Sequence, residues 1–205
     1  MILNIVQRED PVLRQIAAEV PIEEITSERI KDIILSMKET MHAAPGVGLA
    51  APQVGISLQI VVIEDREEYM SAMQPEIRKE RGRKPVPFHV IINPKLTILE
   101  NIEVTYFEGC LSVNGTIRIT PRAKSVMVEC YDENGEKKVI HAEGWYARIL
   151  QHEIDHLNGK LYIDISDKRT EIQNNAENRN KWLNATSADI NQYLQDIVNV
   201  KELNR

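Results

Sequence analysis

The chain has 205 residues, a formal net charge of −6, 42% hydrophobic residues and 27% charged residues. This length and balance fit one globular domain with appendages, and they exclude an extensively disordered chain and a chain made of membrane spans. Because binding to a phosphate backbone requires clustered cations, the acidic balance also argues against direct nucleic-acid binding. The oligomeric state stays open.

The first ten residues, MILNIVQRED, contain neither the basic region nor the apolar core of a secretory signal, and they are acidic too early for a transit peptide. Two cysteines, Cys110 and Cys130, are too few for a disulfide framework in a domain of this size. We expect a cytoplasmic protein with reduced cysteines and no membrane association. A processed organelle protein is the alternative.

The hydrophobic periodicity predicts an α+β domain. Ser27 is a good N-cap for a helix over residues 28–42, and β-branched residues predict a buried strand over 58–63. The charged stretch 65–84 is interpreted as a solvated excursion rather than a binding patch. Further strands are predicted over residues 88–93, 95–99, 102–107, 117–120, 125–131 and 137–142, with turns at 93–94, 100–101 and 134–135.

The C-terminal part of the chain is predicted to be helical in two places. Residues 145–157 form one helix, which Gly159 ends. The tail is polar and rich in asparagine, but an amphipathic helix is predicted after Ser187. Its apolar positions are Ile190, Tyr193, Leu194, Ile197 and Val198.

The helix over 145–157 carries the pattern His-Glu-x-x-His, which can bind a metal. Residues four apart lie on the same helix face, so His152 and His156 can aim two imidazoles at one ion. Glu153 projects near the same point, where a base acting on a water is needed. The pattern alone leaves two interpretations open, metal-assisted hydrolysis and a surface helix with two solvated histidines.

A metal site needs at least one more protein ligand. Downstream, Tyr162 stands where the metzincin spacing requires a histidine, and Glu171 and Glu177 lie in a polar segment without a convincing helix partner. Upstream, Cys110 lies in a glycine-flanked break between strands, as a thiolate ligand facing a helix would. The alternative for Cys110 is a small buried hydrophobe, which is also the assignment for Cys130.

Three segments of the chain together carry a family resemblance. Residues 46–53 (GVGLAAPQ), 108–112 (EGCLS) and 151–156 (QHEIDH) resemble the three signature motifs of the peptide deformylases, in the family's order. Residues 10–14 are similar to that family's N-terminal segment, and the resemblance runs from about residue 2 to about residue 166. By itself, 46–53 would be a tight turn packed on the core, because it lacks the ending of a phosphate-binding loop.

The resemblance implies a fold and an activity. The fold is α+β, with mixed and antiparallel β-sheets packed around a central helix that carries the HExxH motif, and with a C-terminal helical tail. A catalytic domain spans residues 1–166, and a polar, partly helical extension spans residues 167–205. The activity is metal-dependent hydrolysis of the formyl group from N-formylmethionyl polypeptides, met at the ribosome as they are made, with release of formate.

The resemblance also implies a ligand set. Cys110, His152 and His156 would hold one divalent metal and leave a fourth position for water, as a catalytic site requires. A thiolate with two imidazoles suits Fe²⁺, Zn²⁺, Ni²⁺ or Co²⁺, and the resemblance implies Fe²⁺ in the cell.

Further roles follow from the same resemblance. Glu153 is the implied base, which takes a proton from water and passes it to the departing amine. The Gln53 side chain and the Leu111 backbone N–H are the implied donors to the oxyanion, and Gly48 lets the substrate backbone pair like an added strand. The other implied substrate-binding residues are Gly109 and, bordering the methionine pocket, Val47, Trp145, Arg148 and Ile149.

Other polar residues have more local interpretations. Asp155 points away from the histidine face, and a pair with Arg122 is a hypothesis that would position the helix, with a simple surface ion pair as the alternative. His42 is interpreted as a capping or solvated histidine. Asn114 stands where many relatives carry proline, and the stretch 65–84 is longer than in compact members of the family, so it could border the cleft.

Two competing functions remain. A zincin-like endopeptidase would cleave internal peptide bonds without releasing formate. A non-catalytic binding module would use the same ligands as a structural metal site and would not need Glu153 as a base.

Overall fold

The computed structural model describes residues 1–202, without the side chains of residues 198 and 200–202. The helices are α1 (Glu28–Ala43), α2 (Pro75–Glu80), α3 (Trp145–Leu157), α4 (Tyr162–Ile165), α5 (Ala176–Leu183) and α6 (Ser187–Glu202). The strands are β1 (Gly48–Ala50), β2 (Ile60–Asp65), β3 (Val86–Ile98), β4 (Glu103–Cys110), β5 (Val113–Ala123), β6 (Ser125–Tyr131), β7 (Lys137–Glu143) and β8 (Ile172–Gln173). Short 3₁₀ turns lie at Pro11–Arg14, Ile22–Glu24, Ala51–Val54, Glu67–Met70 and Lys168–Thr170.

Two antiparallel sheets carry the fold. One has the strand order β1-β2-β3-β6-β7, and the other has the order β4-β5-β8. The strands pair antiparallel in both sheets. The predicted α+β architecture, with antiparallel sheets and a C-terminal helix, is therefore confirmed.

Strand β2 shows how the larger sheet is covered on both faces. Val61 and Ile63 belong to the buried cluster that contains Leu150 and Ile154 of α3. Their neighbours Ile60 and Val62 belong to the buried cluster of α1. Because side chains alternate along a strand, an uninterrupted β-branched run is what a sheet between two helices requires.

The two long helices predicted from periodicity are present. The bounds of α3 coincide with the predicted 145–157, and Gly159 follows it at φ 69°. Helix α1 begins after Ser27, whose hydroxyl accepts from the Ile30 N–H at 3.4 Å. Residue Ala43 adds one position to the predicted end of α1.

The turn predicted at Asn93 and Pro94 is wrong, because β3 is one strand with a bulge there. Its pairing register shifts between Ile92 and Lys95, and Asn93 has φ 51°. Asparagine tolerates this left-handed conformation, and a bulge tolerates the missing N–H of proline. The Asn93 side chain also binds both backbone groups of Val20, which holds the bulge in place.

The solvated excursion predicted over 65–84 is also wrong at its basic end. Arg81 and Arg83 are buried, and Arg83 donates to both carboxylate oxygens of Asp65, at 2.8 and 2.9 Å. The counter-charge lies 18 residues earlier in the chain. A local run of charges therefore could not predict this burial.

The tail after α4 packs against the smaller sheet. Strand β8 pairs with β5, and Trp182 and Ile190 are buried with Tyr106 and Ile119. The predicted amphipathic helix is present as α6, with Ile190 on its buried face. The predicted apolar contact of Val198 lies outside the described side chains.

Candidate metal centre and catalytic cavity

Three potential metal ligands meet where β4 ends against α3. The ligand atoms of Cys110, His152 and His156 all lie within 4.8 Å of one another. The Cys110 Sγ and His156 Nε2 atoms are 3.3 Å apart. Because tetrahedral coordination at usual bond lengths separates sulfur and nitrogen donors by roughly 3.3–3.6 Å, this donor set fits a divalent transition metal.

The local shape of the chain turns Cys110 towards the helix. The register of β4 with β5 shifts between Glu108 and Cys110, and the hairpin closes through Leu111 and Ser112. The Ser112 N–H and the Gln53 Nε2 lie 3.4 and 3.5 Å from the Cys110 Sγ. Both groups donate to the sulfur, so they hold it in place at the end of β4.

Glu108 is a site residue whose role the sequence analysis missed. Its buried carboxylate accepts hydrogen bonds from Arg122, from Arg148 and from the His152 Nδ1 at 3.0 Å. Burial alone would raise the pKa of Glu108, but the charges of Arg122 and Arg148 hold it well below its usual value. The ionised carboxylate fixes the His152 ring with its Nε2 free to face Cys110. The segment EGCLS includes Glu108 but does not indicate this role, because the partners of Glu108 lie 14 to 44 residues away.

Glu153 lies buried on the same face of the cavity, next to Gly48 of β1. A Cβ atom at Gly48 would lie only 2.5 to 2.7 Å from the Glu153 side chain, so glycine is required there. The Glu153 Oε2 is buried and has no hydrogen-bond partner within residues 1–202. Burial raises the pKa of Glu153 to about 7, which suits a group that takes and returns a proton near neutral pH.

Gln53 is held in one orientation. Its Oε1 accepts from the Ala50 N–H at 2.8 Å, so its Nε2 donors are turned towards Cys110 and Ser112. Leu111 lies between those two residues, and its carbonyl accepts from the Gln7 side chain at 3.1 Å. Donors therefore converge beside the three ligand atoms.

A cavity of about 320 Å³ brings the predicted residues together. Phe107 and Asn174 also border it, and the sequence analysis missed both. His156 is not among the residues that line the cavity, but its Nε2 lies 3.3 Å from the Sγ of Cys110, which does line it. The predicted residues that line the cavity are Val47, Gly48, Gln53, Gly109, Cys110, Leu111, Trp145, Arg148, Ile149, His152 and Glu153.

Arg148 lines the cavity without offering it a free charge. Its guanidinium donates to Glu108 and to the carbonyl oxygens of Thr120 and Val104. The neighbouring Trp145 ring lies under the guanidinium of Arg148 at 5.8 Å. A side chain with its charge engaged in this way borders a pocket through its hydrocarbon part.

The downstream residues considered as ligands have other partners. Glu171 pairs with Arg118, and Glu177 is exposed in the first turn of α5. Tyr162 stacks its ring on His152, with centroids 6.1 Å apart, and donates its hydroxyl to the Thr116 carbonyl. Tyr162, which stands where the metzincin spacing requires a histidine, therefore packs against His152 and binds the backbone of β5.

The hypothetical pair of Asp155 and Arg122 is formed, with Arg122 Nη1 2.5 Å from Asp155 Oδ2. Arg122 is buried, and it also binds Glu108. The pair therefore joins α3 to β5 in the same helical turn as His152 and His156. The His42 Nε2–H donates to Glu64 Oε2 at 2.6 Å, and His42 is not part of the ligand group.

Comparisons with known proteins point to one family. Residues 2–171 match the family model described as polypeptide deformylase. Peptide deformylase 1A, chloroplastic, from Solanum lycopersicum is 49% identical over 167 residues, which cover 82% of this chain and 60% of that protein. Peptide deformylase 1A, chloroplastic/mitochondrial, from Arabidopsis thaliana is 47% identical over 167 residues, which cover 82% of this chain and 62% of that protein. The chain thus spans about three fifths of the length of these two plant relatives.

A solved structure agrees with the fold. The class I type b peptide deformylase from Acinetobacter baumannii, bound to Met-Ala-Ser, superposes with a TM-score of 0.72 at 32% identity. The superposition covers 80% of this chain and 98% of that chain.

Proposed function

The chain belongs to the polypeptide deformylase family, and on that premise we propose that it hydrolyses the formyl group from N-formylmethionine at the start of new polypeptides. The reaction consumes one water and leaves formate and a free amino terminus. The observation that carries the proposal is the unpartnered carboxylate oxygen of Glu153 in the cavity that Cys110 and His152 also line. Met-Ala-Ser, bound in the Acinetobacter baumannii protein, has the free amino terminus that such a reaction leaves.

Cys110, His152 and His156 are the proposed metal ligands. Their chemistry suits Fe²⁺, with Zn²⁺, Ni²⁺ and Co²⁺ as substitutes. When bound, the metal would supply Lewis acidity towards water and the formyl carbonyl. Glu108 supports the set, because its hydrogen bond to the Nδ1 of His152 leaves the Nε2 free. We therefore propose that α3, which carries the HExxH motif, is the central helix of the fold.

Glu153 is the proposed base. Its carboxylate takes a proton from the attacking water and returns it to the nitrogen of the departing amine. Burial raises its pKa to about 7, so it can serve as acceptor and then donor at neutral pH. The proposed donors to the oxyanion are the Gln53 Nε2 and the Leu111 N–H.

The substrate would enter as an extended strand. Gly48 and Gly109 line the cavity and belong to β1 and β4, each the end strand of its sheet, which suits pairing with a peptide. Val47, Ile149 and Trp145 supply apolar surface for the methionine side chain. Arg148 adds hydrocarbon surface to the same pocket, because its guanidinium is engaged by Glu108.

The decisive experiment replaces the proposed base. Glu153→Ala should lower formate release from formyl-Met-Ala-Ser by roughly 10²- to 10⁴-fold, which is the usual worth of a general base. The metal content should stay close to that of the wild type, because Glu153 is not a proposed ligand. Glu129→Ala, at an exposed position of β6, is the matched control and should change neither quantity. Unchanged formate release by Glu153→Ala would refute the assignment.

Two further readouts separate the competing functions. Cleavage of internal peptide bonds without formate release would favour an endopeptidase. Cys110→Ala should lose most of its metal, and full occupancy would remove Cys110 from the ligand set.

The proposed setting is the cytoplasm, with N-formylmethionyl polypeptides met at the ribosome, and with residues 1–166 as the catalytic domain and 167–205 as an extension. Two plant relatives carry chloroplast or mitochondrion in their names, which makes an organelle the competing location. Among residues 1–202, no helix combines the length and the apolar character that crossing a membrane needs. Cell fractionation with detection of the native chain tests the location.

A further inference from the structure

We infer that Asn174 binds the substrate backbone beyond the methionine, by donating its side-chain amide to a peptide carbonyl. The inference rests on the proposed function and extends it to the tail. The family match ends at residue 171, so Asn174 lies outside the matched segment. It nevertheless borders the same cavity as Glu153 and His152.

The backbone at Asn174 is anchored to the hairpin that presents Cys110. Strand β8 pairs with β5 through Gln173 and Thr116, and the Asn174 N–H donates to the Gly115 carbonyl at 2.9 Å. This hydrogen bond holds Asn174 beside the end of β4. The hairpin therefore holds the backbone of Asn174 in place.

The orientation of the Asn174 side chain is fixed by Arg179. The Arg179 Nη1 lies 3.1 Å from the Asn174 Oδ1. A guanidinium can only donate hydrogen bonds, so the atom facing it is the amide oxygen. The Nδ2 group consequently faces the other way, towards Gly109.

The Nδ2 group of Asn174 lies beside a segment of β4 that β5 does not pair. A Cβ atom built on Gly109 would be 3.6 Å from Asn174 Nδ2. Gly109 falls in the register shift between Glu108 and Cys110, so it has no paired residue on β5. In the described part of the chain, Asn174 Nδ2 donates no hydrogen bond.

A preset donor beside an unpaired strand segment suits an extended peptide. Such a peptide presents carbonyl oxygens at regular intervals along the edge. The formyl group would lie at the Cys110 cluster, and the methionine side chain would lie against Val47 and Ile149. The carbonyl that meets Asn174 therefore belongs to a residue after the methionine, and the amide contributes only when the substrate extends that far.

The test compares two substrates of different length on the metal-loaded enzyme. Asn174→Asp keeps the size of the side chain and the contact with Arg179, but it replaces the donor by an acceptor. We expect kcat/KM for formyl-Met-Ala-Ser to fall by roughly three- to tenfold, mainly through KM, since a hydrogen bond is usually worth that much. Hydrolysis of N-formylmethioninamide, which has no following residue, should stay within twofold of the wild type.

Two more variants keep the test decisive. Arg179→Ala leaves the amide in place but frees its rotation, so a smaller loss confined to the tripeptide is expected. Gln173→Ala, an exposed neighbour on β8, is the matched control and should behave as the wild type on both substrates.

An equal loss on both substrates, or no loss on the tripeptide, would overturn the role of Asn174. Formate release by the wild type keeps that outcome distinct from failure of the proposed function. A wild type that releases formate from neither substrate would overturn both proposals.

Discussion

The absence of a side chain at Gly48 leaves room for the Glu153 carboxylate. Strand β1 passes so close to α3 that any side chain at residue 48 would overlap the carboxylate. The glycine therefore leaves the space that Glu153 occupies. Gly46 offers a useful contrast, since a Cβ there would meet the end of the Leu111 side chain at 2.9 Å.

Gly48→Ala is expected to lower formate release by roughly 10²-fold or more, because displacing a catalytic group by about 1 Å costs on that order. Metal content should remain close to that of the wild type, as the three ligands are not displaced directly. Formate release and metal analysis on the same sample measure both. Gly46→Ala is the matched control and should lose less, because the flexible end of Leu111 can move. Equal losses in the two variants would contradict this account.

Arg81 joins the C-terminal tail to the start of α3. Arg81, which follows α2, donates to the carbonyl oxygens of Trp182 and Ala185 in the tail, at 2.8 and 2.9 Å. Its own carbonyl accepts from the N–H of Trp145, the first residue of α3, at 2.9 Å. Burial lowers the pKa of Arg81 to about 10, so it stays charged at neutral pH. The segment 65–84 thus fixes both the tail and the start of α3.

Trp182 is the main apolar anchor of the tail. Its ring lies 4.5 Å from Phe107 and 4.9 Å from Tyr193, measured between centroids. Trp182→Ala should lower the free energy of unfolding by about 3–5 kcal/mol, as expected for removing a buried aromatic side chain. Denaturant unfolding of the metal-loaded protein measures the change.

The conservative variant supplies the control for that prediction. The Trp182 Nε1 is buried without a hydrogen-bond partner among the described residues, so Trp182→Phe loses no hydrogen bond. We expect it to cost less than half as much as Trp182→Ala. A similar cost for both variants would show that the ring contacts with Phe107 are not what anchors the tail.

Across the whole molecule, buried ion pairs join parts that are distant in sequence. Glu108 binds Arg122 and Arg148, and Asp65 binds Arg83. Removing one partner of a buried pair leaves an uncompensated charge, which is costly. Among these carboxylates, Glu108 has a pKa lowered from its usual value, so it makes stability depend on pH.

Glu108 sets the direction of that dependence. Its pKa is lower in the folded chain than the usual value of 4.5, because the two arginines outweigh the effect of burial. Its contribution to stability is then fully present above that usual value and is lost as the pH falls through the depressed folded pKa. For the metal-free protein, we expect the difference in unfolding free energy between the wild type and Glu108→Gln to be about 3–5 kcal/mol at neutral pH.

That difference should shrink steadily as the pH falls below about 4.5. Denaturant unfolding of both proteins over a series of pH values measures it. A difference that stays constant down to strongly acid pH would contradict the assigned ionisation of Glu108.

Local patterns in the sequence were enough to predict several helices and turns, because these elements depend on residues that are close together in the chain. The 3.6-residue period and Ser27 predicted α1, the spacing of His152 and His156 predicted one helix face, and Asn134 with Gly135 predicted the turn between β6 and β7. The motifs also selected a set of residues that the fold gathers around one cavity, although their individual roles stay predictions.

The tertiary structure alone decided which polar groups are buried and with whom. Nothing near Arg83 in sequence distinguishes it from a solvated charge, and nothing near Glu108 indicates that it orients His152. Asn174 reaches the cavity only because β8 pairs with β5. The free energy of a charged or polar side chain depends on partners brought together from distant parts of the chain, whereas hydrophobic periodicity is a property of neighbouring residues.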